Sequence, residues 1–214
     1  MADLKNLNCI GILGGTFNPV HNGHLMMAEC AVKTVPKIEH ILFMPNNFPG
    51  YKDASDIVST KHRLEMLALA LHGRSNMSIS DLEIKRGGIT YTAETLECIH
   101  KQNPKLKIYF IIGSDSLYSF KEWFRYRDIL AYCTLLVAGR HTDVEKMQIC
   151  SGQLKDDVPD ADIVLMHNDD VPAASSEIRE MISHGCMPWQ LLPHKVAEYI
   201  MNNGLYSWKN SRNV

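Results

Sequence analysis

Two histidines three positions apart, His21 and His24, follow a glycine pair in the stretch Gly14-Gly15-Thr16-Phe17-Asn18-Pro19-Val20-His21-Asn22-Gly23-His24. Imidazoles donate hydrogen bonds, and glycines leave the backbone open to close approach. The pair therefore suits a phosphate whose negative charge grows during a reaction. Arg179 sits in Ala174-Ser175-Ser176-Glu177-Ile178-Arg179 and offers a planar fork for phosphate oxygens. Lys52 closes the loop Pro45-Asn46-Asn47-Phe48-Pro49-Gly50-Tyr51-Lys52 and brings a further cation. Asp115, in Gly113-Ser114-Asp115-Ser116, is a carboxylate able to accept ribose hydroxyls. Each residue also has a plainer use: histidines pack, serines and aspartates cap helices, and loop lysines are solvated. Their joint order singles them out.

The elements around these residues explain how they would be positioned. Cys9-Ile10-Gly11-Ile12-Leu13 reads as a buried parallel strand, and Leu25 to Val32 as a helix. The signature stretch thus lies on a strand-to-helix turn, where backbone N–H groups and the helix dipole favour anions. Ile38 to Met44 reads as a second strand that delivers the Asn46-Asn47 loop. Ser59 caps an amphipathic helix running to Leu71, whose polar residues read as a wet face. Met77 to Ile84 alternates as a strand, and Arg86-Gly87-Gly88 turns the chain. Thr90 to Ile99 begins a helix, with Thr92 and Thr95 at its start. Leu106 to Ile112 is the most strand-like run and ends at Gly113 and Asp115. Cys133 to Ala138 and Ile163 to Met166 read as further strands, and Asp143 to Leu154 as a surface helix. His167 to Asp170 reads as a solvated turn. The serines at 175 and 176 read as helix-start residues, a short helix covers Leu191 to Ile200, and the tail frays from Ser207.

Several of these stretches resemble the nicotinate-mononucleotide adenylyltransferases of the nucleotidyltransferase superfamily. The first matches Gly-Thr-Phe-Asp-Pro-x-His-x-Gly-His, with Asn18 in place of the aspartate. Tyr91-Thr92-Ala93-Glu94-Thr95-Leu96 resembles the family's Tyr-Thr-x-x-Thr-Leu, and Ile111-Ile112-Gly113-Ser114-Asp115-Ser116-Leu117 its Ile-Ile-Gly-x-Asp-Ser-Leu. Trp123 stands eight residues after Asp115, where the family carries a tryptophan. Ala174-Ser175-Ser176-Glu177-Ile178-Arg179 is similar to the closing Ser-Ser-Thr-x-Ile-Arg, with the first serine replaced by Ala174. The Asn46-Asn47 loop departs from its counterpart at Gly50 and Tyr51 but keeps Lys52.

The resemblance implies transfer of an adenylyl group from ATP to nicotinate mononucleotide, with Mg2+ carried mainly by the ATP phosphates. It implies that His21, His24 and Arg179 act in catalysis. Gly14, Gly15, Phe17, Gly113, Asp115, Ser175 and Ser176 would join those three in holding ATP. Thr16, Asn47, Lys52, Tyr91, Thr92 and Trp123 would hold the mononucleotide. Alternatives in the same superfamily are an enzyme using both nicotinate and nicotinamide mononucleotides, a phosphopantetheine-type adenylyltransferase and a cytidylyltransferase. A nucleotide sensor without catalysis is the alternative outside enzymology.

Bulk properties bound these readings. The 214 residues carry a net charge of −2, with 45% hydrophobic and 21% charged residues, which describes a soluble globular chain with no basic field for nucleic acid. The six cysteines form no Cys-x-x-Cys pair, and no run is apolar enough to span a membrane. The chain lacks both the phosphate-loop lysine motif and Gly-x-Gly-x-x-Gly. The expectation is a cytoplasmic α/β protein: one domain over 1–214, a Rossmann-like doubly wound parallel sheet with a small C-terminal helical portion at about 173–206. A homo-oligomer remains open.

Overall fold

A computed structural model describes residues 7–47, 57–139, 143–167 and 174–207. Six parallel strands form its sheet: β1 (Cys9–Gly15), β2 (His40–Pro45), β3 (Met77–Ile79), β4 (Lys107–Gly113), β5 (Thr134–Gly139) and β6 (Ile163–His167). Their spatial order is β3-β2-β1-β4-β5-β6. The chain winds outward from β1 to β3, then restarts beside β1 and winds the other way. That order is the doubly wound one, and its reversal lies between β1 and β4. Ligands of open α/β sheets bind at that crevice, beyond the carboxyl ends of the strands.

Alternation along the strands sorts the core into two layers. Leu13, Ile41, Phe43, Ile111 and Leu136 face one side, where they meet α1 (Asn22–Thr34), α2 (Thr60–Leu71), α8 (Ser175–Ser183) and α9 (His194–Asn202). Ile10, Ile12, Leu42, Phe110, Ile112 and Val137 face the other. There they meet α4 (Thr92–Gln102), α5 (Ser114–Tyr118), α6 (Tyr126–Tyr132) and α7 (Val144–Asp157). Burial on both faces is why these strands read as continuous apolar runs.

The structure corrects the reading of Met77 to Ile84. The strand stops at Ile79, and Leu82–Arg86 forms a short helix, α3. The reason lies in the neighbouring strand. Ile41 N donates to Asn76 O and Ser80 N donates to Phe43 O; the next rung would need an N–H from Pro45, which has none. With the ladder ended, Glu83 turns inward and is only 6% exposed.

Other helix starts differ in detail. Ser59 caps α2 by accepting from His62 N, as its type and position predict. The N-caps of α4 and α8 are Tyr91 and Ala174, neither with a side-chain cap bond; Thr95 bonds Glu83 and Ser175 bonds Pro19 O instead. No described helix is long and apolar enough to cross a membrane.

Candidate active site

The signature stretch leaves β1 at Gly15 and enters α1 at Asn22. Gly14 and Gly15 sit at the strand tip, where an added Cβ would come within 3.3 Å of ring carbons of Phe110 and Phe17 respectively. A side chain at either position would have to press its aromatic neighbour aside by a few tenths of an ångström, so glycine keeps the strand tip open without disturbing those rings. Phe17 has a positive φ of 50° and is 1% exposed, packed against Phe43 and edge-on to His24. It shapes the loop from below.

His21 is the N-cap of α1 and not part of the helix, yet its ring stacks on His24 with centroids 3.7 Å apart. The two are not equivalent. His21 is 6% exposed, and burial pushes its imidazole down to about 4, so it is neutral at pH 7. His24 is half-buried, and its Nδ1 accepts the His21 backbone N–H at 3.2 Å. An accepting Nδ1 fixes the neutral tautomer with its proton on Nε2.

A cavity of about 790 Å³ opens at the switch point between β1 and β4. That volume is in the usual range for small-molecule sites. Gly14, Gly15 and His24 line one part of it, Gly113 and Asp115 another, and Tyr91, Thr92 and Trp123 a third. These eight sequence-derived residues are brought together on one wall system. Trp123 is half-buried, with its ring 5.1 Å from that of Phe120 and edge-on to Phe110. Tyr91 pairs with the exposed Phe124 at 4.5 Å, so the rim there is aromatic.

The remaining predicted residues lie behind that wall. Thr16 is buried, and its Oγ1 accepts from Asn46 Nδ2; Asn46, not Asn47, lines the cavity. Asn47 instead ties its loop to the turn before α4, with N donating to Thr90 Oγ1 and Nδ2 donating to Gly88 O. Ser175 Oγ donates to Pro19 O and Arg179 Nη1 to Asn18 O, both at 3.0 Å. These two brace the signature loop from the α8 side. Ser176 is exposed. Lys52 and the turn expected at 168–170 lie outside the described residues.

Three comparisons bear on this geometry. A family model described as cytidylyltransferase-like matches residues 12–181. A Lactococcus lactis protein named "Probable nicotinate-nucleotide adenylyltransferase" is 33% identical over 204 residues, covering 95% of this chain and 98% of that protein. One of the same name from Dehalococcoides mccartyi is 36% identical, covering 96% of this chain and 98% of its own. The chain belongs to the nicotinate-nucleotide adenylyltransferase family. Among solved structures, the Plasmodium falciparum nicotinic acid mononucleotide adenylyltransferase complexed with NaAD superposes with a TM-score of 0.78. It covers 94% of this chain and 98% of its own at 19% identity, a likeness of fold.

Two buried charges in this family member escaped the sequence reading. Arg63, placed on the wet face of α2, is 1% exposed. Its Nη1 donates to Thr16 O and Asn46 O, and its Nη2 to Asn47 O and Thr60 Oγ1. One guanidinium thus pins the β1 loop and the β2 loop to α2. The missed signal was its place on the apolar stripe, three, four and seven residues before Met66, Leu67 and Ala70.

Glu83 lines the cavity and accepts from Thr95 Oγ1 at 2.8 Å. Burial holds its carboxyl up at about 7, against the pull of Thr95 and Arg86. Glu83 and His21 have opposite linkage to pH. Glu83 favours the fold below its unfolded value of 4.5, and that contribution is lost as pH rises through about 7. His21 favours it above 6.5 and loses its contribution as pH falls through about 4. Each amounts to roughly 3 kcal/mol, so between pH 4.5 and 6.5 they nearly cancel. Glu83→Gln removes one side of that balance. Urea midpoints of this variant should fall steadily from pH 6.5 to 4, more steeply than the wild type's. A slope equal to the wild type's would refute the pairing.

Proposed function

We propose that this protein transfers the adenylyl group of ATP to nicotinate mononucleotide, giving the deamido form of NAD and pyrophosphate. The observation that carries the reading is His24, held on the cavity wall with its proton fixed on Nε2 by the His21 backbone N–H. A preset donor beside bare glycine backbone is what a phosphorus centre gaining charge requires.

In this reading an oxygen of the mononucleotide 5′-phosphate attacks the α-phosphorus of ATP in line. The bond from that phosphorus to the bridging oxygen breaks, and pyrophosphate leaves with the electron pair. No protein nucleophile takes part, so positioning and charge stabilisation supply the rate. His24 stabilises the charge at the α-phosphate. His21 lies beneath it and sets its ring plane by stacking. Gly14 and Gly15 give main-chain room, while Gly113 and Asp115 meet the adenosine ribose. Arg179 and Ser175 hold the loop, and Lys52 adds phosphate charge neutralisation. Trp123 stacks on the pyridine ring, as indole suits an electron-poor partner.

Among the described residues no group of three or more His, Cys, Asp or Glu is placed to hold a metal ion. Such a lining would suit a Mg2+ carried on phosphate oxygens and water, with no protein cage of its own. When bound, it shields the charge of the leaving pyrophosphate.

Choice of acceptor falls to the start of α4. Tyr91 and Thr92 line the cavity there, and the N-cap residue Tyr91 makes no side-chain cap bond. An anion at such a terminus gains up to about 2 kcal/mol when partly buried, enough for a preference on the order of tenfold. Pyrophosphate release with ATP and either nicotinate or nicotinamide mononucleotide tests this. The expected result is at least tenfold higher kcat/KM for the nicotinate form. Equal efficiencies would defeat the carboxylate reading, and no release with either would defeat adenylyl transfer.

A further inference from the structure

Glu83 is a buried acid on the cavity wall that adenylyl transfer itself does not use. It lines the cavity together with Tyr91, Thr92 and Trp123 and is 6% exposed. It reaches the wall from α3, the short helix that forms where the β3 ladder ends. Thr95 Oγ1 donates to its Oε1 at 2.8 Å. The same hydroxyl lies 3.3 Å from the carbonyl oxygen of Tyr91, the N-cap of α4. The carboxyl is therefore anchored at the end of the cavity that would take the substituent of the acceptor's pyridine ring.

With Oε1 accepting from Thr95, Oε2 carries the proton of the neutral form. Burial keeps that form populated at neutral pH, with half-titration at about 7. The two forms offer opposite chemistry. A neutral carboxyl donates to a carboxylate in a strong, charge-assisted bond. An ionised carboxyl beside a second carboxylate is a like-charge pair, which favours taking up a proton. Toward a carboxamide, the ionised form accepts from the NH2 group. Other charged side chains stand around Glu83 on several elements. Asp81, Lys85 and Arg86 belong to α3 or its cap, and the field of Arg86 works against burial. Glu94 is in the first turn of α4. His24 of α1, Asp115 of α5 and Glu122 of the Phe120–Glu122 turn face the same cavity. Of these acids Glu83 is the buried one.

We propose that Glu83 sets the choice of acceptor through its proton: protonated, it donates to a pyridine carboxylate, and ionised, it accepts from a pyridine carboxamide. This rests on reading the cavity as a mononucleotide site. Selectivity for the acid over the amide is then greatest at low pH and falls as Glu83 ionises.

Calorimetric titration with nicotinate mononucleotide and with nicotinamide mononucleotide, from pH 6 to 8, tests this. Both ligands carry the same 5′-phosphate, so its titration cancels in their ratio. For wild type the ratio of affinities favouring the nicotinate form is expected to fall by about tenfold or more over that range. Enthalpies in two buffers of different ionisation heat give the protons exchanged. At pH 7 the two ligands should differ by about one proton, half taken up with the acid and half released with the amide. Glu83→Gln keeps the shape and the acceptor for Thr95 but has no proton to exchange, so its ratio should change less than twofold from pH 6 to 8. A flat wild-type ratio, an equal proton count for the two ligands, or a wild-type slope in Glu83→Gln would each overturn the proposal. The proton count needs wild-type protein alone, so it decides even where the variant folds poorly. Protein that binds neither mononucleotide would remove the adenylyl-transfer reading as well. Binding of both with a flat ratio would remove the role of Glu83 alone.

Discussion

His24→Ala will lower kcat by about 10²–10³ while the protein stays folded, the usual cost of one donor aimed at developing charge. Two features set the size. The ring is on the cavity wall, and its tautomer is fixed by a backbone group that cannot rotate away. Removal costs the fold little, because the side chain is half-buried and the hydrogen bond it gives up is only part-buried. KM for ATP should change far less than kcat, since the donor matters most when the phosphorus gains charge. The comparison is steady-state pyrophosphate release against thermal melting on the same samples. Turnover within threefold of wild type would take His24 out of the chemistry.

Arg63→Met is expected to act on the opposite quantity, costing about 3–5 kcal/mol of stability. Methionine fills the space but leaves three carbonyls and the Thr60 hydroxyl without this donor, all at buried or part-buried bonds. For a chain of this size that corresponds to a fall of roughly 10 °C in melting temperature. Arg63→Lys keeps the charge but cannot span acceptors on three segments with one planar group, so it should recover less than half of the loss. Arg74→Met, which breaks the partly exposed pair with Glu29, should cost about 1 kcal/mol. Chemical denaturation of the three variants checks the ranking, and an Arg63→Met loss no larger than that of Arg74→Met would refute it.

Much of the fold was legible because its strands are buried on both faces. The run around Ile108 to Ile112 admits little but a central parallel strand, and it pairs with β1 on one side and β5 on the other. The glycine–histidine turn was legible because glycine, histidine and the flanking periodicities point to one local geometry. What stayed hidden depends on contacts between distant segments. Arg63 looks like a solvated helix residue until Thr16 and Asn46 are brought over it. Glu83 continues an alternating pattern, and only the neighbouring Pro45 shows that the ladder ends before it. Ser175 has the right type for a cap, but Pro19 O lies within its reach and takes the bond. In each case a long-range polar partner outcompetes a local preference of about 1 kcal/mol.

The hydrogen bond from Tyr206 to Asn18 joins residues 188 positions apart. Ser175 and Arg179 tie the same loop to α8. The turn that carries both histidines is thus held by contacts from segments more than 150 positions away. Loop and C-terminal helices are therefore expected to melt as one cooperative unit, not one before the other.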